Sequence, residues 1–228
     1  MVAESNMEKP IHADPCPAPA RCRLEGRLVT LEPLDATAHA QSLYDGTHGK
    51  GEEDLWRYMG DGPYANRNDF EAALRQKAAS EDPLFFAIVD RRSGLALGQA
   101  SYLRITPAHR VIEVGNIIYA RQLQRTAAAT EAMYLMARHA FEDLGYRRYE
   151  WKCNARNLPS RRAALRLGFR FEGIFRQHMI VKGRNRDTAW YAMLDAGWPA
   201  RKAAFERWLD AANFAADGRQ KTKLQSGF

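Results

Sequence analysis

Between Val111 and Leu144 the chain passes from a β-branched strand through a short polar loop at Gln124 to Ala129 and straight into a helix, reading VIEVGNIIYARQLQRTAAATEAMYLMARHAFEDL. A helix that opens directly out of a loop leaves its first N–H groups without intrahelical partners. It also places the positive end of its dipole there, so this junction suits a phosphate or pyrophosphate. The helix is predicted from Ala129, Ala132, Met133, Met136, Ala137, Ala140, Phe141 and Leu144, which recur at helical spacing as one apolar stripe. Glu131, Arg138, Glu142 and Asp143 are expected on the opposite, solvated face.

The elements on either side of this junction predict an α+β fold. Arg27 to Leu31 reads as a short strand, and Ala36 to Tyr44 as a helix capped by Asp35. After an aromatic turn at Asp54 to Met59, closed by Gly60-Asp61-Gly62-Pro63, Asn68 is expected to cap a second helix reaching Ser80. Leu84 to Asp90 and Ala96 to Leu103 form a hairpin around Arg91 to Gly94, with Gly94 in the position that needs positive φ. Val111 to Tyr119 is the next strand.

Gly145 stops the long helix. Beyond it come a strand at 148–153, a helix at 158–167, strand-like stretches at 169–175 and 179–182, a turn at 183–186, a returning strand at 187–194 and a last helix at about 200–215. This order implies a mixed central sheet between helices, an α/β three-layer arrangement. It is read as a single domain over residues 23–216. A proline-rich tail at 1–22 is expected to be disordered, and a polar tail at 217–228 to be loose.

A hydrophobic fraction of 46% is enough to fill a core, and no run approaches the roughly 20 apolar residues of a membrane span. The first residues carry no basic stretch followed by an apolar one, so the expected location is the cytoplasm. Cys16, Cys22 and Cys153 are too scattered for a disulfide framework. The six histidines show no metal-ligand spacing, G-x-S-x-G is absent, and Cys153 has no base beside it, so no metal is expected. Twelve Lys/Arg against two Glu between Arg147 and Arg186 give this stretch +10 in a chain whose total is +7. That segment is either a solvated surface or one that faces a polyanion: a nucleotide cofactor, an acidic substrate, or RNA such as a ribosome's.

Two motifs resemble a known family. Q-x-x-A-x-A-T-E-A at Gln124 to Ala132, after the strand Ile112-Glu113-Val114-Gly115-Asn116-Ile117, resembles the acyl-CoA pyrophosphate loop of the GNAT acetyltransferases. Asn157-x-x-Ser160, followed by Leu167-Gly168-Phe169 and Glu172-Gly173, is similar to the pattern of the RimJ/RimL-like branch. Both motifs stand in the family's order and spacing. The resemblance implies a GNAT-like fold and an acetyl-CoA-dependent N-acetyltransferase working by direct attack in a ternary complex. The implied acceptor is a protein N-terminal amine, with a small amine-bearing metabolite or antibiotic as the alternative. A CoA- or RNA-binding module without turnover is a third reading.

The implied cofactor-binding residues are Ile117, Ile118, Tyr119, Gln124, Arg125, Thr126, Ala127, Ala128, Ala129, Thr130, Asn157 and Ser160, with a backbone N–H around Ile117 to Tyr119 polarising the acetyl oxygen. Ala127 stands where the family's loop has Gly. Its N–H still serves if its φ is negative, which we expect. Asn157 can also cap the helix at Leu158, and Ser160 either supports the departing thiolate or merely caps. Ala164 occupies the position where many relatives have an acidic tyrosine, so that route is closed. A charged amine must lose a proton before attacking, which calls for a base. Glu113 is the candidate, either as base or amine anchor or as a strand glutamate paired with an arginine. His178 is the second candidate, next to Met179, where some relatives carry a carboxylate.

Overall fold

The computed structural model describes residues 14–224. Its first half runs β1 (Leu24–Glu25), β2 (Val29–Pro33), α1 (Ala36–Thr47), α2 (Arg67–Ala79), β3 (Leu84–Asp90), β4 (Ala96–Thr106) and β5 (Val111–Tyr119). The second half runs α3 (Ala127–Arg138), β6 (Arg148–Asn154), α4 (Leu158–Arg166), β7 (Arg170–Val181), β8 (Arg184–Leu194) and α5 (Trp198–Leu209). All strands join one sheet in the order β1-β2-β3-β4-β5-β6-β8-β7. Only β5 and β6 pair in parallel; the single helix α3 carries the chain from the end of one strand back to the start of the other.

The mixed sheet between helices has the predicted α+β architecture. Ala100, Tyr102, Ile112, Val114, Tyr149 and Trp151 belong to a core shared with α3, α4 and α5. Phe85, Ala87, Ala96 and Ile118 pack with α1 and α2 on the other face. Side chains alternate across a strand, so Glu113, Glu150, Lys152 and Trp190 lie on the α1/α2 face, beyond the area those helices cover.

Several expectations need correction. Asn66, not Asn68, caps α2, accepting from the Asp69 N–H at 3.0 Å. Asp35 caps α1 as expected. α3 has no solvated face through its middle: every residue from Ala129 to Ala137 is buried, because the sheet lies on one side and α5 and the β1–β2 turn on the other. Glu131, 5% exposed, accepts from the Arg27, Leu28 and Val29 N–H groups at 3.0, 2.6 and 2.8 Å. Gly26 is required there, since a Cβ would sit 2.5 Å from Glu131 Oε2. The two strand-like stretches at 169–182 are one bulged strand, β7. It joins β8 through a two-residue turn, Lys182-Gly183, both at positive φ, the geometry that hairpin twist favours.

The tails are tied down where they are described. The Cys16 N–H donates to Pro107 O at 3.3 Å, Arg110 holds Asp14 O, and Cys16 is buried. Residues 14–22 therefore dock on the domain despite their prolines. At the other end Trp208 Nε1 donates to Gln220 Oε1 and the Thr222 N–H to Asn213 Oδ1. The parts of the expected tails at 1–13 and 225–228 lie outside the described residues.

Candidate active site

β5 and β6 pair only through Val111–Arg148, Ile112–Tyr149, Glu113–Glu150 and Val114–Trp151. Beyond Val114 they part: β5 continues against β4 to Tyr119, and β6 against β8 to Asn154. A one-residue bulge at Asn116, with φ 51°, turns β5 away where Gln99–Ile118 and Ser101–Gly115 fall out of register. The inner edge of β5 from Gly115 to Tyr119 thus has no strand partner and borders a slot. Ile117, Ile118 and Tyr119 lie on that edge, with Ile118 buried beneath α1 and α2.

The slot leads to the N-terminus of α3. The Gln124 amide donates to Tyr119 O at 3.0 Å, tying loop to strand, and Arg125 rather than position 127 takes the left-handed conformation, at φ 61°. Ala127 keeps negative φ, as expected of an alanine replacing the loop glycine. Thr126 caps the helix: its Oγ1 accepts from the Ala129 N–H at 3.1 Å and donates to Leu123 O at 2.6 Å. The Ala129 N–H and the Thr126 hydroxyl, both expected to serve a phosphate, are therefore already engaged. Thr130 Oγ1 is likewise held, by Thr126 O and Arg166. Among the described residues the N–H groups of Arg125, Thr126, Ala127 and Ala128 have no intrachain acceptor. Together with the dipole they fit a pyrophosphate.

On the β6 side, Asn157 caps α4, its Oδ1 accepting from the Ser160 N–H at 3.2 Å. Ser160 Oγ accepts from Trp151 Nε1 at 3.0 Å. The indole donates to one lone pair of the hydroxyl, which also faces the Cys153 thiol. Burial pushes the Cys153 thiol up, with the Ser160 hydroxyl acting against that, so this cysteine is not an activated nucleophile.

Glu113 is 3% exposed and receives Arg104 at 2.7 Å and Lys152 at 3.0 Å, both on Oε2. Oε1 points over Gly115, 3.5 Å from where a Cβ would stand. Burial raises the Glu113 carboxyl above the usual carboxylate range, against the pull of Lys152 and Arg104, which moves it toward the range of a base working near neutrality. Lys152 also meets Glu150 Oε2 at 2.7 Å and lies 3.7 Å from the centre of the Trp190 ring. Its role was not read from sequence, because the alternation of RYEWKC reveals a strand but not that its polar face is covered.

His178 is exposed, its Nδ1 3.0 Å from Thr188 Oγ1 and its ring edge-on to Trp190. Burial, then Arg186, Arg104 and Lys152, hold its imidazole low and hence neutral. Glu113 and His178 therefore flank one groove from opposite sides of Lys152 and Trp190. Tyr102 does not line this groove: it is fully buried and its hydroxyl donates to Met136 O. Trp56 is a core residue, 1% exposed, donating to Thr47 O at 2.8 Å. Part of the basic segment also turns inward, with Arg148 on Glu150 and Glu172, and Arg166 on Thr130.

A strand pair that opens beside a free helix N-terminus and a buried carboxylate is the arrangement of an acyl-carrier-dependent transferase. The family profile described as Acetyltransferase (GNAT) domain matches residues 28–170. A solved GCN5-related N-acetyltransferase from Brucella melitensis is 49% identical, with 92% of this chain and 96% of that one covered and a TM-score of 0.91. A Bacillus subtilis protein named "Putative ribosomal N-acetyltransferase YdaF" is 25% identical over 75% of this chain and 92% of its own. The microcin C7 self-immunity acetyltransferase, solved with acetyl-CoA and AMP, shares the fold at 22% identity and a TM-score of 0.64, covering 74% of this chain and 93% of that one. The chain belongs to the GNAT acetyltransferase family and is an N-acetyltransferase of the acetyl-CoA-dependent type. No group of residues suited to a metal ion occurs among the described residues, and no described helix is long and apolar enough to cross a membrane.

Proposed function

We propose that this enzyme, a cytoplasmic member of the RimJ/RimL-like branch, acetylates the N-terminal amine of a protein or peptide. The observation that carries the reading is the parting of β5 and β6 beyond Val114, one residue past the buried Glu113 carboxylate, which opens a slot whose other end is the N-terminus of α3. The N–H groups of Arg125 to Ala128 hold the pyrophosphate of acetyl-CoA, and the free edge of β5 at Ile117 to Tyr119 takes the pantetheine arm and polarises the thioester carbonyl. Asn157 and Ser160 border the same arm from α4.

Glu113 Oε1 takes a proton from the acceptor ammonium, directly or through water, so that the amine nitrogen can form its bond to the acetyl carbon as the carbon–sulfur bond breaks. The Ser160 hydroxyl, oriented by Trp151, hydrogen-bonds the departing sulfur. On this reading His178, held by Thr188 and beside Trp190, anchors the acceptor rather than deprotonating it. The branch and acceptor are supported by the Asn157-x-x-Ser160 motif and by the ribosomal name of the Bacillus relative.

The test is thiol release from acetyl-CoA with free-amine peptides. Glu113→Gln is expected to lower kcat by about a hundredfold or more, with acetyl-CoA affinity retained. Unchanged kcat in that variant removes Glu113 from the chemistry.

A further inference from the structure

A second cavity adjoins the β5 bulge on the α1/α2 face, about 410 Å³ in volume. Met59 and Phe85 give it apolar walls, Asp61 and Lys77 stand at its rim, and Gln99 and Asn116 line it from the sheet. Gln99 is 1% exposed, yet its Nε2 has no hydrogen-bond partner. Leaving a buried amide donor unpaired is costly, so a retained one points to a partner that arrives from outside. The donor lies on β4 opposite Ile118, one strand in from the free edge of β5. Asn116 lines the same cavity with its Nδ2 donating to Ser101 Oγ at 2.9 Å, and its Oδ1 does not accept from Gln99.

The rim sets the charge of the occupant. Lys77 meets Asp61 at 2.6 Å, and the same carboxylate accepts from the Tyr64 hydroxyl. Lys77 is therefore neutralised, with no cation left over for a carboxylate ligand, and Asp61 offers no uncompensated charge to a polyamine. An amide N–H donor above apolar walls fits a neutral carbonyl attached to an apolar group.

We infer that Gln99 is a specificity-determining residue of the acceptor site, and that this cavity selects amines carrying a neutral carbonyl, as in an amino-acyl amide or the first residues of a peptide. The inference rests on the peptide-amine reading above and narrows its substrate class. Met59 and Phe85 take the apolar side chain, and Gln99 Nε2 donates to the carbonyl.

The experiment compares kcat/KM for amino-acid amides and tripeptides with that for alkylamines and diamines of matched length. The wild-type enzyme should favour the carbonyl-bearing amines, and Gln99→Leu should reduce that preference about ten- to hundredfold while leaving the KM for acetyl-CoA in place. Ala73→Leu, filling the cavity from α2, should raise the KM for tripeptides without changing the charge of the site. A wild-type enzyme with no preference, or a Gln99→Leu variant that slows both classes equally, would overturn the inference while sparing acetyl transfer. Absence of thiol release with every amine would instead overturn the amine-acceptor reading, and the cavity's role with it.

Discussion

The Lys152 ammonium meets the Glu113 carboxylate at 3.0 Å, with side-chain exposures of 4% and 3%, just where β5 and β6 part. The same ammonium holds Glu150 at 2.7 Å. It therefore holds Glu113 Oε2 and leaves Oε1 for the base role proposed above.

If Glu113 is the base, Lys152 should tune the pH at which it works. The charged groups facing Glu113 are Arg104 from β4, Lys152 and Glu150 from β6, and Arg186 from β8. Removing a cation favours the protonated acid, so Lys152→Met should move the acid limb of the kcat/KM profile to higher pH, with greater loss at pH about 6 than at pH about 8.5. Denaturant titration should also show a loss of about 3 kcal/mol, since two buried carboxylates lose a shared partner. An unmoved limb would mean that Lys152 is only structural.

If His178 only anchors the acceptor, His178→Gln should leave that limb where it is and raise the KM for the acceptor, since burial and the nearby Arg186, Arg104 and Lys152 disfavour a charged imidazole and its ring lies edge-on to Trp190. A pH–rate comparison decides: if the limb disappears in His178→Gln and persists in Glu113→Gln, the two roles are exchanged.

Ala127→Pro separates binding from folding. Position 127 is the first residue of α3, where proline is tolerated, and Thr126 before it is extended at φ −98°, ψ 166°. The substitution removes one of the unpaired N–H groups proposed to hold the pyrophosphate. Acetyl-CoA affinity should fall about tenfold or more, as for a charge-assisted bond of roughly 1.5–3 kcal/mol, with Tm unchanged. Isothermal titration together with a melting curve checks both halves.

Glu131→Ala should cost about 3 kcal/mol or more, because it strands three N–H groups of the β1–β2 turn. Gly26→Ala should act in the same direction by pressing a Cβ into that carboxylate. Each variant should keep near-normal turnover per folded molecule at low temperature, measured against an active-site titration.

Most strands, their succession along the chain and the two helix starts at Thr126 and Asn157 were legible because they rest on local signals: the continuous apolar run of Leu84 to Asp90, the loop-to-helix junction at Gln124, and the Asn157 cap. The polar contacts made across the fold were not. Glu131 sits on α3 like any solvated glutamate, and only the arrival of residues 27–29 from far away in the chain makes it buried. Lys152 and Gln99 read as strand residues of unremarkable polarity. Their meaning comes from what covers them, and covering is a property of the whole sheet. Cys16 is the reverse case: prolines suggested a free tail, yet one thiol and one N–H on Pro107 are enough to seat it.

Because β5 and β6 share only the pairs from Val111–Arg148 to Val114–Trp151, the hydrogen-bond ladder of the molecule is two half-sheets, β1 to β5 and β6 to β8, stitched by a short seam. A cosubstrate lying across the slot would splice the halves, so its affinity is registered as rigidity: by mass action, acetyl-CoA at a hundred times its Kd adds about 2.7 kcal/mol to stability. On the proposed binding mode, each departure of CoA would leave the slot unbridged while the four-pair seam stays formed. The ligand-free enzyme would then be the less stable form, and the slot would set how firmly the protein holds together between turnovers.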